Sequence, residues 1–422
     1  MANAATANTN STAASRMRRI DSVDLCRGII MVIMLLDHTR ERVHLDGMIE
    51  QATDPATSSW ALYLTRWATH LCAPAFVLLA GTSAGFMKQR GLSTSGISRY
   101  LLTRGLVLIL IEIFVVRPLV FFNVNPLLFS FLETIWAIGF SMIVLSLLVY
   151  LPQRAIFAIG LLIVFGHNAL DTFQLQGFAG PTAPVTLTAK LWIVLHQGGL
   201  FQLPLYHVAA FGSPLVLVGY PVLPWIGVMA LGYCLAELYS WNAERRKKTL
   251  TVIGCAMIAM FFVIRGVNIY GDVTPWKSFG TVSQTIFSFF NLQKYPPSLS
   301  FLLTTLAPCA LALAYFDPKP LTSKLSQWFM TFGKVPMFFF LIQWLWVHFV
   351  GALVNVAYGQ PISAQTISLT DFMFGPKPAT AGGSLWLVYP AWLLGAIVLY
   401  YPCRWYADLR ARRRDITLLR YI

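Results

Sequence analysis

Long apolar runs separated by short polar segments fill most of the chain. A transmembrane helix needs about 20 mostly apolar residues, and about ten runs approach or meet that requirement. They lie at 21–43, 60–87, 100–122, 126–150, 154–171, 217–240, 249–267, 298–316, 333–354 and 384–406. No segment between them is long enough to form a separate soluble domain. The pattern predicts an all-α fold, a polytopic helical bundle with about ten transmembrane helices.

The segment 172–216 does not fit this pattern clearly. It is rich in glycine and proline, and Lys190 to Leu205 can be interpreted either as a re-entrant segment or as an eleventh helix. An eleventh crossing would break the alternation of the loops between the two faces. We therefore favour a re-entrant or surface segment.

Composition supports a lipid environment. Of the 422 residues, 57% are hydrophobic and 11% are charged, whereas a soluble domain carries roughly 25% charged residues. The net charge of +14 comes from short basic clusters between the apolar runs, not from one patch. With no nucleic-acid-binding motif, the charge indicates membrane orientation, and we predict contact with membrane lipid and not with nucleic acid.

The basic residues also orient the helices. If the N-terminus is inside, the inner segments hold most of the lysines and arginines, among them Arg16, Arg18, Arg19, Lys88, Arg90, Arg154, Arg245, Arg246, Lys247, Lys248, Arg410, Arg412, Arg413 and Arg414. This asymmetry predicts an even number of spans with both termini cytoplasmic. We expect a disordered tail at 1–18, a membrane domain at 19–406 and a basic cytoplasmic tail at 407–422.

Several titratable residues fall within the predicted outer half of the bilayer, where each is costly and therefore a functional candidate. They are Asp37, His38, His70, Glu133, His348 and, nearer the middle, Glu112. We take the first five as candidate catalytic residues. Structural roles remain open: His70 can bridge to Arg66, His348 can form an interhelical hydrogen bond, and Glu133 can pair with Arg104 or Arg117.

Cations lie near the predicted inner boundary. Arg27, Arg104 and Lys334 are candidates to hold a phosphorylated ligand that enters from the cytoplasm. The alternative is snorkelling towards lipid headgroups, which we favour for Arg99. The six cysteines lack metal-ligand spacing and lie in or at the ends of apolar runs, so we predict neither a disulfide nor a metal site.

Six sequence blocks resemble a known family. They are Arg19-Ile20-Asp21-Ser22-Val23-Asp24-Leu25-Cys26-Arg27-Gly28 running to Leu36-Asp37-His38-Thr39-Arg40, Arg66 to Phe76 with Leu79 to Ala84, Tyr220-Pro221 with Pro224 to Met229, Lys294 to Leu299, Gly333 to Phe338, and Tyr401 to Trp405. Together they resemble the bacterial branch of the heparan-α-glucosaminide N-acetyltransferase-like family. The resemblance spans about residues 19–406 and keeps the order of the blocks.

The resemblance implies a transmembrane acyltransferase, and for a bacterial chain the charge pattern predicts the plasma membrane. Such proteins use cytoplasmic acyl-CoA, usually acetyl-CoA, and modify an acceptor on the opposite face, which in the animal relatives is a terminal glucosamine amine. Asp37 stands where those relatives carry asparagine, and Met48 stands near the position of their catalytic histidine, so His38 and His44 are the nearest substitutes. Gln343 also replaces a usual histidine.

Acyl transfer to an amine or hydroxyl needs a base and a donor for the oxyanion. We predict His38 as the base, oriented by Asp37 or Glu133. The acceptor is a glycan or a small molecule outside the cytoplasm, and a homo-oligomer is possible. A proton-coupled transporter is the main alternative because carriers also use intramembrane histidine and carboxylates, although no inverted repeat is evident. A third interpretation is a protein that binds lipid or a partner without chemistry.

Overall fold

The computed structural model describes residues 20–47, 51–123, 128–180, 183–208, 212–366, 381–413, 415–416 and 419. The tail predicted at 1–18 lies outside these residues. Helices dominate, and their bounds are α1 Asp21–Val43, α2 Trp60–Thr69, α3 Cys72–Gln89, α4 Thr94–Ile111, α5 Arg117–Phe121, α6 Thr134–Leu148, α7 Gln153–Gly166, α8 Leu187–Trp192, α9 Leu223–Leu235, α10 Ala243–Val267, α11 Val282–Phe290, α12 Leu299–Phe316, α13 Lys324–Lys334, α14 Pro336–Ala357 and α15 Leu385–Arg412. Because α15 continues to Arg412, the predicted tail at 407–422 begins as helix.

Seven helical stretches within the described residues are long and apolar enough to cross a membrane. They are Trp60–Gln89, Gln153–Leu170, Leu223–Ser240, Ala243–Val267, Leu299–Phe316, Pro336–Ala357 and Leu385–Arg412. Helix α6 is apolar but shorter, and α1 carries several charges along its 23 residues. The chain is therefore an integral membrane protein with a mainly helical fold.

A small β-sheet departs from the all-α prediction. Its strands are β1 (Leu128–Leu132), β2 (Gly199–Gln202) and β3 (Leu215–Val218), in the order β1-β3-β2. Strand β1 is parallel to β3 and β2 is antiparallel to it. The span predicted at 126–150 is thus wrong in its first part, because 128–132 pairs with β3 and the helix begins only at Thr134.

The segment 172–216 contains no eleventh spanning helix among its described residues. Helix α8 has only six residues and continues into a π-helical turn at Ile193–Gln197, after which the chain enters β2. Six residues rise about 9 Å, far less than the roughly 30 Å hydrocarbon core. The segment instead supplies two strands of the sheet.

Helix α1 lies at the centre of the bundle. It packs against α2, α3, α12, α13, α14 and α15, and most of its side chains are buried. The contact with α13 is close because two glycines face each other: a Cβ atom on Gly28 would lie 1.9 Å from the carbonyl oxygen of Phe329, and one on Gly333 would lie 1.9 Å from that of Asp24. Four charged residues of α1 are buried among these helices, namely Asp24, Asp37, Arg40 and Arg42.

Contacts between helix termini divide the bundle into two ends. At the first, which we call the basic end, Arg246 at the start of α10 binds Asp317 after α12 (2.6 Å), and Arg410 of α15 donates to the carbonyl of Lys334 (3.3 Å). At the second, the sheet end, Asn168 after α7 accepts from the N–H of Leu299 at the start of α12 (2.8 Å). Successive long segments therefore run in alternate directions.

Candidate active site

One cavity of about 1610 Å³ is lined by residues from both ends of the bundle. Among the residues predicted from the sequence, Arg27, Arg104 and Lys334 line it towards the basic end, and Asp37, His38 and Glu133 line it towards the sheet end. His70 and His348 are not among its lining residues. The structure therefore brings six of the eight predicted residues to one cavity.

A single face of α1 runs along this cavity. The face contains Asp24, Arg27, Met31, Met34, His38 and Glu41, whose spacing of three or four residues places them on one side of a helix. It is charged at both ends and apolar at its centre. Arg27 and His38 are eleven residues apart, a rise of about 16 Å, so α1 connects the two chemically distinct ends.

Arg27 is held by three elements. Its guanidinium contacts Asp24 of α1 (3.1 Å), the hydroxyl of Ser83 on α3 (2.9 Å) and the carbonyl of Gly333 on α13 (3.3 Å). These contacts direct the side chain into the protein, not towards lipid headgroups. Arg27 therefore pairs with Asp24 and also lines the cavity.

Further cations surround the same end of the cavity. Arg90, Arg104, Lys334 and Arg410 all contribute to its lining. Arg99, which is on α4 like Arg104, is exposed and is not a lining residue. The concentration of positive charge can bind an anionic group such as a phosphate.

Asp37 contacts arginines at the sheet end. Its carboxylate binds the Arg66 guanidinium of α2, and its other oxygen lies 3.5 Å from Arg40. Arg40 also donates to the carbonyl of Gly47 (3.0 Å). Because both carboxylate oxygens contact arginines, Asp37 stabilises the junction of α1 and α2. This geometry does not support the predicted role of Asp37 in orienting His38.

The His38 ring is oriented by aromatic packing. It stacks on Trp344 of α14, with ring centroids 4.2 Å apart and planes inclined by 28°. Its Nδ1 atom is buried and has no hydrogen-bond partner among the described residues. The side chain of Gln343 lies close to the ring without meeting hydrogen-bond geometry at Nδ1. His38 is therefore a fixed imidazole at the cavity wall.

Glu133 reaches the cavity from the junction of β1 and α6. Its backbone N–H donates to the carboxylate of Glu112 (3.1 Å), which is itself buried. Glu112 thus binds the start of α6 and has a structural role, while the side chain of Glu133 interacts electrostatically with Lys294, Arg66 and Glu41.

Three lining residues at the sheet end were not selected from the sequence: Tyr220, Lys294 and Tyr295. The rings of the two tyrosines are 5.0 Å apart in an edge-on arrangement. Burial raises the pKa of Tyr220 well above its usual range, so that its hydroxyl stays protonated and can donate. Tyr220 precedes α9 within the apolar run at 217–240, whereas Lys294 and Tyr295 lie in a loop outside the runs. Two of the family-like blocks contain all three residues, which is the signal that could have found them.

The two remaining predicted histidines have other environments. His348 places Nε2 3.0 Å from the carbonyls of Leu119 and Val120, and its ring stacks on Phe122 at 3.7 Å. This contact between α14 and α5 is the interhelical hydrogen bond that is the structural alternative to a catalytic role. His70, at the end of α2, packs against Phe301 with ring centroids 5.4 Å apart.

The fold and this cavity define a polytopic α-helical membrane protein with a long internal cavity, basic at one end and lined by titratable groups at the other. The chain belongs to the heparan-alpha-glucosaminide N-acetyltransferase family, whose catalytic-domain model matches residues 19–270, more than half of the chain. This confirms the resemblance recognised in the sequence. A comparison with curated proteins gave no match. Membership indicates a membrane acetyltransferase.

Proposed function

We propose that the protein transfers an acetyl group from cytoplasmic acetyl-CoA to an amine or hydroxyl of an acceptor on the outer face of the membrane. The observation that supports this most strongly is the continuity of the cavity between Arg27, Arg104 and Lys334 at one end and His38 and Glu133 at the other. A donor and an acceptor on opposite sides of a membrane need such a connection. In this proposal the acceptor is a glycan or a small molecule.

Each part of the donor has a complementary part of the cavity. The phosphates of acetyl-CoA bind among the basic-end cations, because arginine and lysine form charge-assisted hydrogen bonds with phosphate oxygens. The uncharged pantetheine arm lies along the apolar part of the α1 face at Met31 and Met34. The thioester then reaches the level of His38.

The sheet end supplies groups for acyl transfer. In a direct reaction, the amine nitrogen or hydroxyl oxygen of the acceptor attacks the thioester carbonyl while His38 removes the proton from that atom. The carbon–sulfur bond then breaks, and CoA leaves as the thiolate. Tyr220 and Lys294 are the candidate donors to the oxyanion, since donors directed at developing charge stabilise the transition state. Glu133 is a second candidate proton acceptor.

The proposed orientation follows from the charges. The basic end, with Arg90, Arg246 and Arg410, faces the cytoplasm, as expected when lysine and arginine are concentrated on that side. With α1, α4 and α6 added to the seven helical candidates, ten segments cross the plasma membrane and both termini are cytoplasmic. The acceptor therefore enters at the sheet end.

An Arg104→Ala substitution tests donor binding, with exposed Arg99→Ala on the same helix as its control. Loss of a charged hydrogen bond, worth about 1.5–3 kcal/mol, should weaken acetyl-CoA binding by about 10- to 100-fold in calorimetry with the purified protein. Acetyl-pantetheine lacks the nucleotide phosphates, so the Arg104→Ala variant should bind it with nearly the same affinity as the unsubstituted protein.

Three outcomes would contradict the proposed donor site. Equal losses of acetyl-CoA affinity in Arg99→Ala and Arg104→Ala would indicate a nonspecific effect of charge. If Arg104→Ala lost equal affinity for acetyl-CoA and for acetyl-pantetheine, Arg104 would not contact the phosphates. Absence of binding by any CoA compound to the unsubstituted protein would favour the transporter interpretation.

A further inference from the structure

A second group of titratable side chains lies at the sheet end, apart from the cavity. It consists of His167, Asp171 and His196, none of which lines the cavity. His167 is in a 3-10 turn after α7, Asp171 follows that turn, and His196 is in the π-helical turn after α8. The group therefore joins two segments that are distant in the sequence.

The geometry suits a metal ion. One nitrogen from each histidine and one oxygen from Asp171 lie within 4.8 Å of one another, and His196 Nε2 is 2.9 Å from Asp171 Oδ1. In tetrahedral zinc sites the ligands are about 2.0–2.2 Å from the ion, which separates neighbouring ligand atoms by about 3.3 Å. A shift of the longest pair by roughly 1.5 Å is enough to reach that geometry.

Unpartnered nitrogens give an independent reason to expect a ligand. Both ring nitrogens of His167 and the Nδ1 of His196 are buried without a hydrogen-bond partner among the described residues. The residues are only 2% and 1% exposed, so bulk water does not solvate these atoms. Buried polar groups are normally hydrogen-bonded or bound to metal. His167 therefore needs a partner that the described residues do not provide.

The surroundings also resemble the second shell of a metal site. Asn168 donates from Nδ2 to Asp171 Oδ2 (2.7 Å), which holds the oxygen that does not contact His196. The Oδ1 atom of Asn168 accepts from the N–H of Leu299 (2.8 Å), so the amide has a fixed orientation. Hydrogen bonds of this kind orient the ligating carboxylate and increase metal affinity.

We propose that His167, Asp171 and His196 bind a divalent transition-metal ion of the zinc class. Two imidazoles and one carboxylate are typical ligands for such ions, whereas magnesium and calcium prefer oxygen ligands. The ion joins the end of α7 to the turn that leads into Gln197, Gly198 and Gly199, and these three residues line the cavity. It thus stabilises one wall of the sheet end.

This proposal departs from the sequence-based expectation of no metal site. That expectation rested on cysteine spacing, and no short motif links His196 to His167 and Asp171, which are 29 and 25 positions earlier in the chain. The π-helical turn at Ile193–Gln197 and the 3-10 turn at His167–Leu170 bring them together. Only the tertiary structure identifies the group.

Metal analysis of the full chain, purified without a histidine tag and stripped with a chelator, tests the site. After addition of ZnCl₂ we expect about one zinc ion per chain, as for a single three-ligand site, with a rise in melting temperature that MgCl₂ does not produce. Asp171→Asn and His167→Gln should each weaken zinc binding by at least about tenfold. His207→Gln, at an exposed histidine, is the matched control and should bind zinc normally.

The unsubstituted protein allows a decision even if the variants fail to fold. X-ray absorption of the zinc-loaded protein should show two imidazole ligands. No stoichiometric zinc, a spectrum without imidazole scattering, or equal binding by Asp171→Asn and the unsubstituted protein would overturn the proposal. Destabilisation of Asp171→Asn to the same extent with and without zinc would also overturn it, because the triad would then be only a hydrogen-bonded pair and a neighbouring histidine.

Discussion

Asp37 and His38 are adjacent in the chain but have different environments. The Asp37 carboxylate lies between Arg66 and Arg40, all three largely buried. Removing one member of such a pair leaves buried charge without compensation, so we regard Asp37 as a positioning residue of the α1–α2 junction. The His38 ring, stacked on Trp344, retains an Nδ1 atom without a hydrogen-bond partner among the described residues, and it lines the cavity.

His38→Ala should therefore impair the reaction more than donor binding. General-base catalysis contributes about 10²- to 10⁴-fold to rate, and we expect a loss in this range for label transfer from acetyl-CoA to membrane acceptors. Acetyl-CoA affinity, measured by calorimetry, should be nearly unchanged because the phosphates bind about 16 Å away along α1.

The matched control for this experiment is His207→Ala at an exposed position. A normal rate in His38→Ala would exclude His38 as the base, and Glu133→Gln would then be the next variant to measure. A similar loss of label transfer in His207→Ala would mean that the His38 result does not reflect the cavity.

The sequence predicts which residues share a helix face better than what lies opposite each turn of that face. Asp37, His38 and Glu133, which the depth estimates group together, all line the cavity. His348 lies one turn beyond Trp344 on the same face of α14, yet it contacts the carbonyls of Leu119 and Val120 in α5 and does not line the cavity. The neighbouring helices determine what each turn contacts, and no spacing within one helix encodes that.

At the scale of elements, the crossing of α1 and α13 depends on two facing glycines. A methyl group at Gly333 would meet the backbone of α1, which cannot move aside as a flexible side chain can. Overpacking of this kind costs about 1–3 kcal/mol. Gly333→Ala should lower the melting temperature and also weaken acetyl-CoA binding, because Arg27 donates to the Gly333 carbonyl and Lys334 is its neighbour.

Gly266→Ala on α10 is the matched control, since nothing lies within 4 Å of the added methyl group. Alanine has the higher helix propensity by about 1 kcal/mol, so this variant should be neutral or slightly more stable by thermal unfolding in detergent. Equal melting temperatures for the two variants would contradict the close crossing.

The apolar runs predicted the long helices well because a segment that crosses the bilayer must satisfy its backbone hydrogen bonds internally, as a helix does.

The β-sheet was not predicted, for a physical reason. A short apolar run has no periodicity that separates a strand from a buried helix, and the partners of β1 lie more than 80 residues later. For the same reason the predicted helix at 126–150 began too early.

At the scale of the whole molecule, the two ends of the cavity differ in the charge that surrounds them. The basic end combines residues from α1, α4, α13 and α15, while the sheet end combines α1, the β1–α6 junction and the loop that carries Lys294. Neither end is complete without residues from both halves of the chain. In the proposed function, donor and acceptor specificity are therefore properties of the assembled bundle.

The proposed function requires the basic end to face the cytoplasm, and cysteine labelling tests this. Of the native cysteines, Cys255 is exposed in the middle of α10, so Cys255→Ser provides a suitable background. Ser278→Cys adds an exposed thiol at the sheet end and Ser95→Cys adds one at the basic end. A membrane-impermeant maleimide should label Ser278→Cys in intact cells and Ser95→Cys only after permeabilisation. The opposite pattern would place the cationic end of the cavity outside, where cytoplasmic acetyl-CoA cannot reach it, and the proposed direction of transfer would be wrong.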